Sequence, residues 1–330
     1  AEGFFSMLTE DWCKFHAITF CGGNINALYT PDIAIEQPDV SELLKYDGAR
    51  TIKMRPWSAY TRTTQFQIEN EKVTLTVSIG QTAETNNAEN RGAYNLGKVY
   101  TFFRFSFENA QGFEKMEKYY IIARKIVAIL TSQNNICFEE VYLSQRNSEQ
   151  KYFKTGICKI FDSYENYSIR QWHKVIPIFS VFDYIPNLID GIVNGKVNSL
   201  LELLPEDNKM VNRISIKNVQ DLCTALEVSY QLDDKRKREK DALIEELKKN
   251  IKNTIAEFTK AHNEIDVNKE TTMSSAFQYL DYTLKQKILT LYNENSDIVD
   301  EIVSKYSLPS VNENSIASFV KLRNKKTHSG

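Results

Sequence analysis

Apolar runs long enough to cross a bilayer are missing from this 330-residue chain. A membrane helix needs about 20 consecutive apolar residues, so no membrane partner is expected. Excess positive charge is missing too: 41 lysines and arginines stand against 43 acidic residues. A protein that coats nucleic acid non-specifically is clearly basic, so any RNA must be gripped by a local patch. Histidine is scarce, at four residues, no two at metal-ligand spacing, and there is no H-E-x-x-H. No metal or other cofactor is expected. The five cysteines, Cys13, Cys21, Cys137, Cys158 and Cys223, are odd in number, scattered and without a C-x-x-C pair. That argues against a disulfide framework or zinc site and for reduced thiols in a cytoplasm. The opening Ala1-Glu2-Gly3-Phe4-Phe5 lacks the basic start and apolar core of a signal peptide, in keeping with a cytoplasmic location. No internal repeat is visible.

What is present is an ordinary globular composition, 42% hydrophobic and 25% charged, with length enough for two sizeable cores. The first half reads as β-rich. Val73, Leu75, Val77 and Ile79 alternate with Thr74, Thr76 and Ser78, the period of a strand with one buried face. Gln65 to Glu69 and Val99 to Phe107 alternate likewise, and Gln81 to Gly97 between them reads as a long polar loop. Met116, Tyr119, Tyr120, Ala123, Val127 and Leu130 recur at helical spacing. Short strands are expected near Ile136 to Leu143 and Ile157 to Phe161. From about Val175 the pattern turns helical, with Val175 to Leu204 interrupted by Pro177, Pro186 and Gly191. Later stripes follow: Val219, Leu222, Cys223, Leu226 and Tyr230; Ile244, Leu247, Ile251, Ile255 and Phe258; Phe277, Leu280, Leu284, Ile288 and Leu291; then Ile298, Ile302 and Tyr306; and a last helix over Ser315 to His328. The expected fold class is α+β, with a β-rich domain over 1–170, a helical connector over 171–214 and an all-α bundle over 215–330.

Several local patterns carry little chemistry. Gly92-Ala93-Tyr94-Asn95-Leu96-Gly97-Lys98-Val99 nearly matches a phosphate-binding P-loop. Val99 replaces the magnesium-binding Ser or Thr, however, and a strand follows where a helix should begin. Pro38-Asp39 with Glu42 and Lys45 fits a capped helix start better than a nuclease metal site. The basic run Asp233 to Asp241 is diluted by its own acids and reads as a solvated connection. His16 lies in a strand-like aromatic stretch, His173 follows Trp172 before an apolar helix, and His262 sits at a polar helix end.

The last helix is different. Ile316, Phe319 and Val320 form its apolar face, and the next residues on that face are Arg323, Asn324 and Thr327. Asn324 and His328 are four apart and share a face, while Arg323 lies ~140° around from His328. Polar groups on an inward face are costly unless satisfied or used. The residue types suit RNA cleavage: the 2′-hydroxyl attacks the adjacent phosphate, and a histidine near neutral pKa moves the proton. A permanently charged, planar arginine meets the charge developing on phosphate. Asn324 would orient the imidazole or donate to phosphate, and Lys321, Lys325 and Lys326 flank the site within reach of phosphates. Glu227 either faces the bundle and salt-bridges Arg323 or faces solvent. One histidine supplies a base or an acid at a time, so a two-fold dimer with a composite cleft is expected.

Leu322-Arg323-Asn324-Lys325-Lys326-Thr327-His328 resembles the R-N-x-x-x-H segment of HEPN ribonucleases, including its place late in a helical bundle. The resemblance implies catalytic roles for Arg323 and His328, a supporting role for Asn324, a dimer, and activity as a toxin or antiviral nuclease. The β-rich first half, the helix with the following Ile136 to Leu143, and a bundle opening near Ala225-Leu226-Glu227 are similar in layout to ApeA-type abortive-infection proteins. That likeness implies a metal-independent endoribonuclease of bacterial antiphage defence, with RNA (tRNA among the candidates) as substrate and a phage-derived trigger. The alternative is a non-catalytic HEPN module for dimerisation or ligand recognition beside a β-rich binding domain. One departure is visible: Ser329 stands where the family pattern has glycine directly after the histidine.

Overall fold

A computed structural model of the chain describes residues 2–5, 13–36, 54–84, 95–159, 169–212, 215–232, 242–262, 271, 273 and 282–327. The fold is mixed α+β and divides into two compact units, Ala1–Ile214 and Ser215–Gly330.

The first unit is built on one antiparallel sheet of strands β1 (Glu2–Phe5), β2 (Lys14–Cys21), β3 (Arg62–Ile68), β4 (Glu71–Glu84), β5 (Asn95–Gly112), β6 (Glu140–Arg146) and β7 (Tyr152–Lys159), in the order β1-β7-β6-β2-β5-β4-β3. Alternation decides which side chains go inward. Phe103, Phe105 and Phe107 of β5 align with Val77, Leu75 and Val73 of β4, and all are buried on one face. Short helices α1 (Gly23–Leu28) and α2 (Trp57–Tyr60) precede the main one, α3 (Met116–Thr131). It presents Tyr119, Ala123, Ile126, Val127 and Leu130 to that core. Tyr119 sets its ring 4.5 Å from Phe107 and 6.4 Å from Phe15. Each such buried ring stabilises the unit by about 1.5–3 kcal/mol relative to exposure.

Residues 171–214, expected as a connector, are part of this unit. Val175, Ile178, Phe182, Ile185, Ile189 and Ile192 are buried in the same core. Helix α4 (Ile185–Val193) lies against α3 and β3, followed by the short α5 (Asn198–Glu202) and α6 (Asn208–Val211). Ile176 N–H donates to the Leu130 carbonyl, and Asn134 N–H to the Pro205 carbonyl, both at 2.8 Å. The physical reason is the apolar stripe of α4, which must be buried and finds the edge of the sheet core.

Three strand expectations shift. The sixth strand begins at Glu140, leaving Ile136 buried outside it, and β7 begins at Tyr152, ahead of Ile157. The polar segment Gln81 to Gly97 is shorter as a loop than its composition suggests. Ala83 pairs with Leu96 and Glu84 with Asn95, since an extended ladder satisfies the backbone whatever its side chains. Residues 85–94 lie outside the described residues, and with them Gly92 to Tyr94 of the P-loop-like segment, whose remaining residues Asn95 to Val99 begin β5. Lys98 and Val99 stand inside β5, and Lys98 pairs with Glu139 at 3.2 Å.

The described part of the second unit is helical: α7 (Ile216–Gln231), α8 (Ala242–Ala261), α9 (Leu284–Glu294), α10 (Ser296–Lys305) and α11 (Glu313–Thr327). Helices α7, α9 and α11 pack on one another, and α10 on α9. Among the described residues, Cys223, Ile255, Ile288 and Ile316 are its buried apolar side chains. Leu222, Leu247 and Phe258, expected in the stripes, are exposed at 51%, 50% and 47%. Ser215 and Thr283 cap α7 and α9, the latter through a full capping box with Gln286. Lys285 and Glu313 join α9 to α11 at 2.6 Å, and the Tyr292 hydroxyl donates to Asp300 at 3.0 Å. Phe277, Leu280 and the run Asp233 to Asp241 lie outside the described residues.

Candidate functional site

Helix α11 owes its position to Ile316, which is buried against the bundle, with Phe319 and Val320 half-buried beside it. At ~100° per residue, Arg323 falls ~20° from Ile316 around the helix, while Asn324 falls ~80° away. The side chains follow that geometry. Arg323 is half-buried, whereas Asn324 is exposed. The inward placement expected of both residues therefore holds for Arg323 and is corrected for Asn324, which stands on the rim.

The two are nevertheless joined: Arg323 Nη1 donates to Asn324 Oδ1 at 3.3 Å. Helix α11 packs on α7, whose Cys223 is 1% exposed. Burial pushes the Cys223 thiol pKa up; the Arg323 charge opposes that rise, and the Glu227 carboxylate adds to it. Both ions are thus within electrostatic reach of one buried sulfur. Glu227, four residues after Cys223, is half-buried on the same side of α7. The structure therefore groups Arg323, Asn324, Glu227 and Cys223 where α7 meets α11.

The other expected site residues stand further out. Lys321 and Lys325 are exposed on α11. The side chain of Lys326 and all of His328 lie outside the described residues. Cys223 had no assigned role in the sequence beyond its apolar stripe; the only hint was its i, i+4 spacing to Glu227. A second polar feature was not legible either. Lys287 of α9 is buried, with its ammonium 5.9 Å from the Tyr230 ring centre.

The remaining histidines take structural positions. His16 Nδ1 lies 3.5 Å from the Arg146 amide nitrogen, which donates to it. His173 meets Trp172 edge-on. His262 stacks on Phe258 at 4.2 Å, its Nδ1 2.9 Å from the Phe258 carbonyl oxygen. Among the described residues, no group of three or more His, Cys, Asp or Glu is placed to hold a metal ion, and no helix is long and apolar enough to cross a membrane. Residues Pro38 to Lys45 lie outside the described residues. Compared with protein-family models, curated proteins and solved structures, the chain matches none.

Proposed function

We propose that the chain is a metal-independent endoribonuclease of bacterial antiphage defence, its second unit a HEPN-type bundle and its β-rich unit a sensor or restraint. The observation that carries this reading is Arg323. A permanently charged side chain occupies the inward line of an amphipathic helix, one residue before Asn324 and five before His328. A planar, permanently charged group half-buried at that place suits the charge that develops on a phosphate.

In the proposed reaction the substrate supplies its own nucleophile. The 2′-oxygen attacks the adjacent phosphorus and its proton passes to one His328 imidazole. The P–O5′ bond breaks, and a second His328, from the partner in a two-fold dimer, returns a proton to the leaving oxygen. Arg323 meets the charge growing on the non-bridging oxygens. Asn324, held by Arg323, orients the arginine or the imidazole, and Lys321, Lys325 and Lys326 contact flanking phosphates. RNA is the substrate class, with tRNA a natural candidate for a toxin.

The test is cleavage of total RNA in EDTA by purified wild type, Arg323→Ala and His328→Ala. EDTA-resistant cleavage lost in both variants supports the reading. Cleavage unchanged in either variant contradicts it and favours a non-catalytic bundle.

A further inference from the structure

The sheet face turned away from α3 is built unlike the core face. Along β5, Phe102, Arg104 and Ser106 alternate with the core phenylalanines and so point the other way. Thr19 stands between Arg104 and Tyr142 in the ladder, Lys154 beside Ser144, and Tyr152 beside Arg146. The Arg104 guanidinium lies 4.8 Å from the Phe102 ring centre and 5.4 Å from that of Tyr152. Arg146 lies 5.3 Å from the same Tyr152 ring, and Lys154 lies 4.8 Å from that of Tyr142. Trp57 leans on Phe102 with ring centres 6.2 Å apart and remains 51% exposed. Gly80 lets the Tyr100 ring cross β4, since a Cβ there would stand 2.9 Å from that ring.

Charge on this face is only partly neutralised. Lys154 has Glu140 at 3.5 Å. Arg104 Nε instead donates to the Thr19 hydroxyl, and Arg146 donates to the Tyr152 hydroxyl and the Phe107 carbonyl. Rings, hydroxyls and a carbonyl orient these guanidiniums without cancelling their charge. Phe102 and Tyr142 are buried beneath the cations, while Trp57 and Lys154 are exposed and Tyr152, Arg104 and Arg146 half-buried. Planar groups alternating with cations on a sheet match unpaired nucleotides, whose bases stack on rings or guanidinium planes and whose phosphates take the charge. A duplex hides its base faces, and an acidic peptide offers nothing to stack on Trp57.

We propose that this sheet face binds single-stranded RNA, with Trp57 and Tyr152 as stacking platforms and Arg104, Arg146 and Lys154 as phosphate contacts. Binding here is separate from the nuclease reading, because a chain can hold RNA on this face whether or not it cuts it. It also supplies the local patch that a chain of net charge −2 requires.

The experiment titrates the full chain carrying His328→Ala into fluorescent single-stranded RNA of about 12 nucleotides, within the site size of such surfaces, reading anisotropy in EDTA. Saturable binding is expected. Adding Trp57→Ala should raise Kd roughly tenfold, as loss of one stacked base does, while Trp57→Phe should stay close to the parent. Lys154→Glu, an exposed change that spares the fold, should weaken binding and flatten its salt dependence. Kd unchanged in both Trp57→Ala and Lys154→Glu overturns the proposal. Equal affinity for the duplex of the same sequence also overturns it. So does Trp57-dependent binding of poly-glutamate without RNA binding, which would assign the face to an acidic protein.

Discussion

Arg323 and Asn324 are adjacent in sequence yet differ in surroundings, and that difference sets what each substitution should do. Arg323→Lys keeps the charge but loses the planar fork. In the proposed reaction it should slow cleavage by about 10²-fold, the scale of losing one transition-state donor. Asn324→Ala, on the rim, should cost less; initial rates on a defined RNA compare the two. A larger loss in Asn324→Ala would reverse their assigned roles. Cys21, on the outer sheet face, makes a pH prediction. Burial, reinforced by Glu140, pushes its thiol pKa from 9.0 up to about 12. Below the unfolded value both states are protonated and the contribution to stability is fully present. As pH rises toward the folded value the unfolded chain loses its proton first, so stability falls. Cys21→Ala should therefore flatten the decline in urea midpoint between about pH 9 and about pH 12 under reducing conditions; an unchanged slope would contradict this placement of the thiol.

Among the elements, α9 matters most to the second unit, because α7, α10 and α11 all pack against it. Its N-terminus rests on the Thr283–Gln286 capping box, with Gln286 Oε1 accepting from the Thr283 amide at 2.8 Å. Thr283→Ala should lower the stability of this unit by about 1 kcal/mol, measured by urea unfolding; no change would mean the cap is dispensable. Elements were legible where one face alone is buried. The alternation of Val73 to Ile79 gave β4, and the spacing from Met116 to Leu130 gave α3. The central strand β2 was harder, because Lys14–Cys21 lies between β5 and β6 and buries both faces, leaving a near-continuous apolar run instead of alternation. The helical stripes located α7 and α9 but over-assigned Leu222 and Leu247 to the core, since a period of 3.6 marks a face without saying how far its edge is covered. At the candidate site the wheel identified Arg323 as inward. Asn324, ~100° further around the helix, falls outside the inward arc that Arg323 shares with Ile316. The aromatic and cationic sheet face escaped the sequence entirely: its residues come from separate strands and meet only through register.

For the whole molecule, the proposed site is complete only when two chains meet. Excess His328→Ala mixed with wild type should lower cleavage well below that of the same wild type alone, because a mixed dimer holds one histidine where the reaction uses two. Cleavage unchanged by the added variant would contradict the composite site, as would a chain that cuts RNA as a monomer. The sheet face proposed to bind RNA and the helix proposed to cut it belong to different units, so Trp57→Ala should raise KM and leave kcat nearly unchanged. The most direct test of the central claim is the chemistry of the cut ends. RNA cleaved by the purified chain in EDTA should carry 2′,3′-cyclic phosphate on one side and 5′-hydroxyl on the other, as attack by the 2′-oxygen requires. Products ending in 3′-hydroxyl and 5′-phosphate, or no EDTA-resistant products at all, would contradict it.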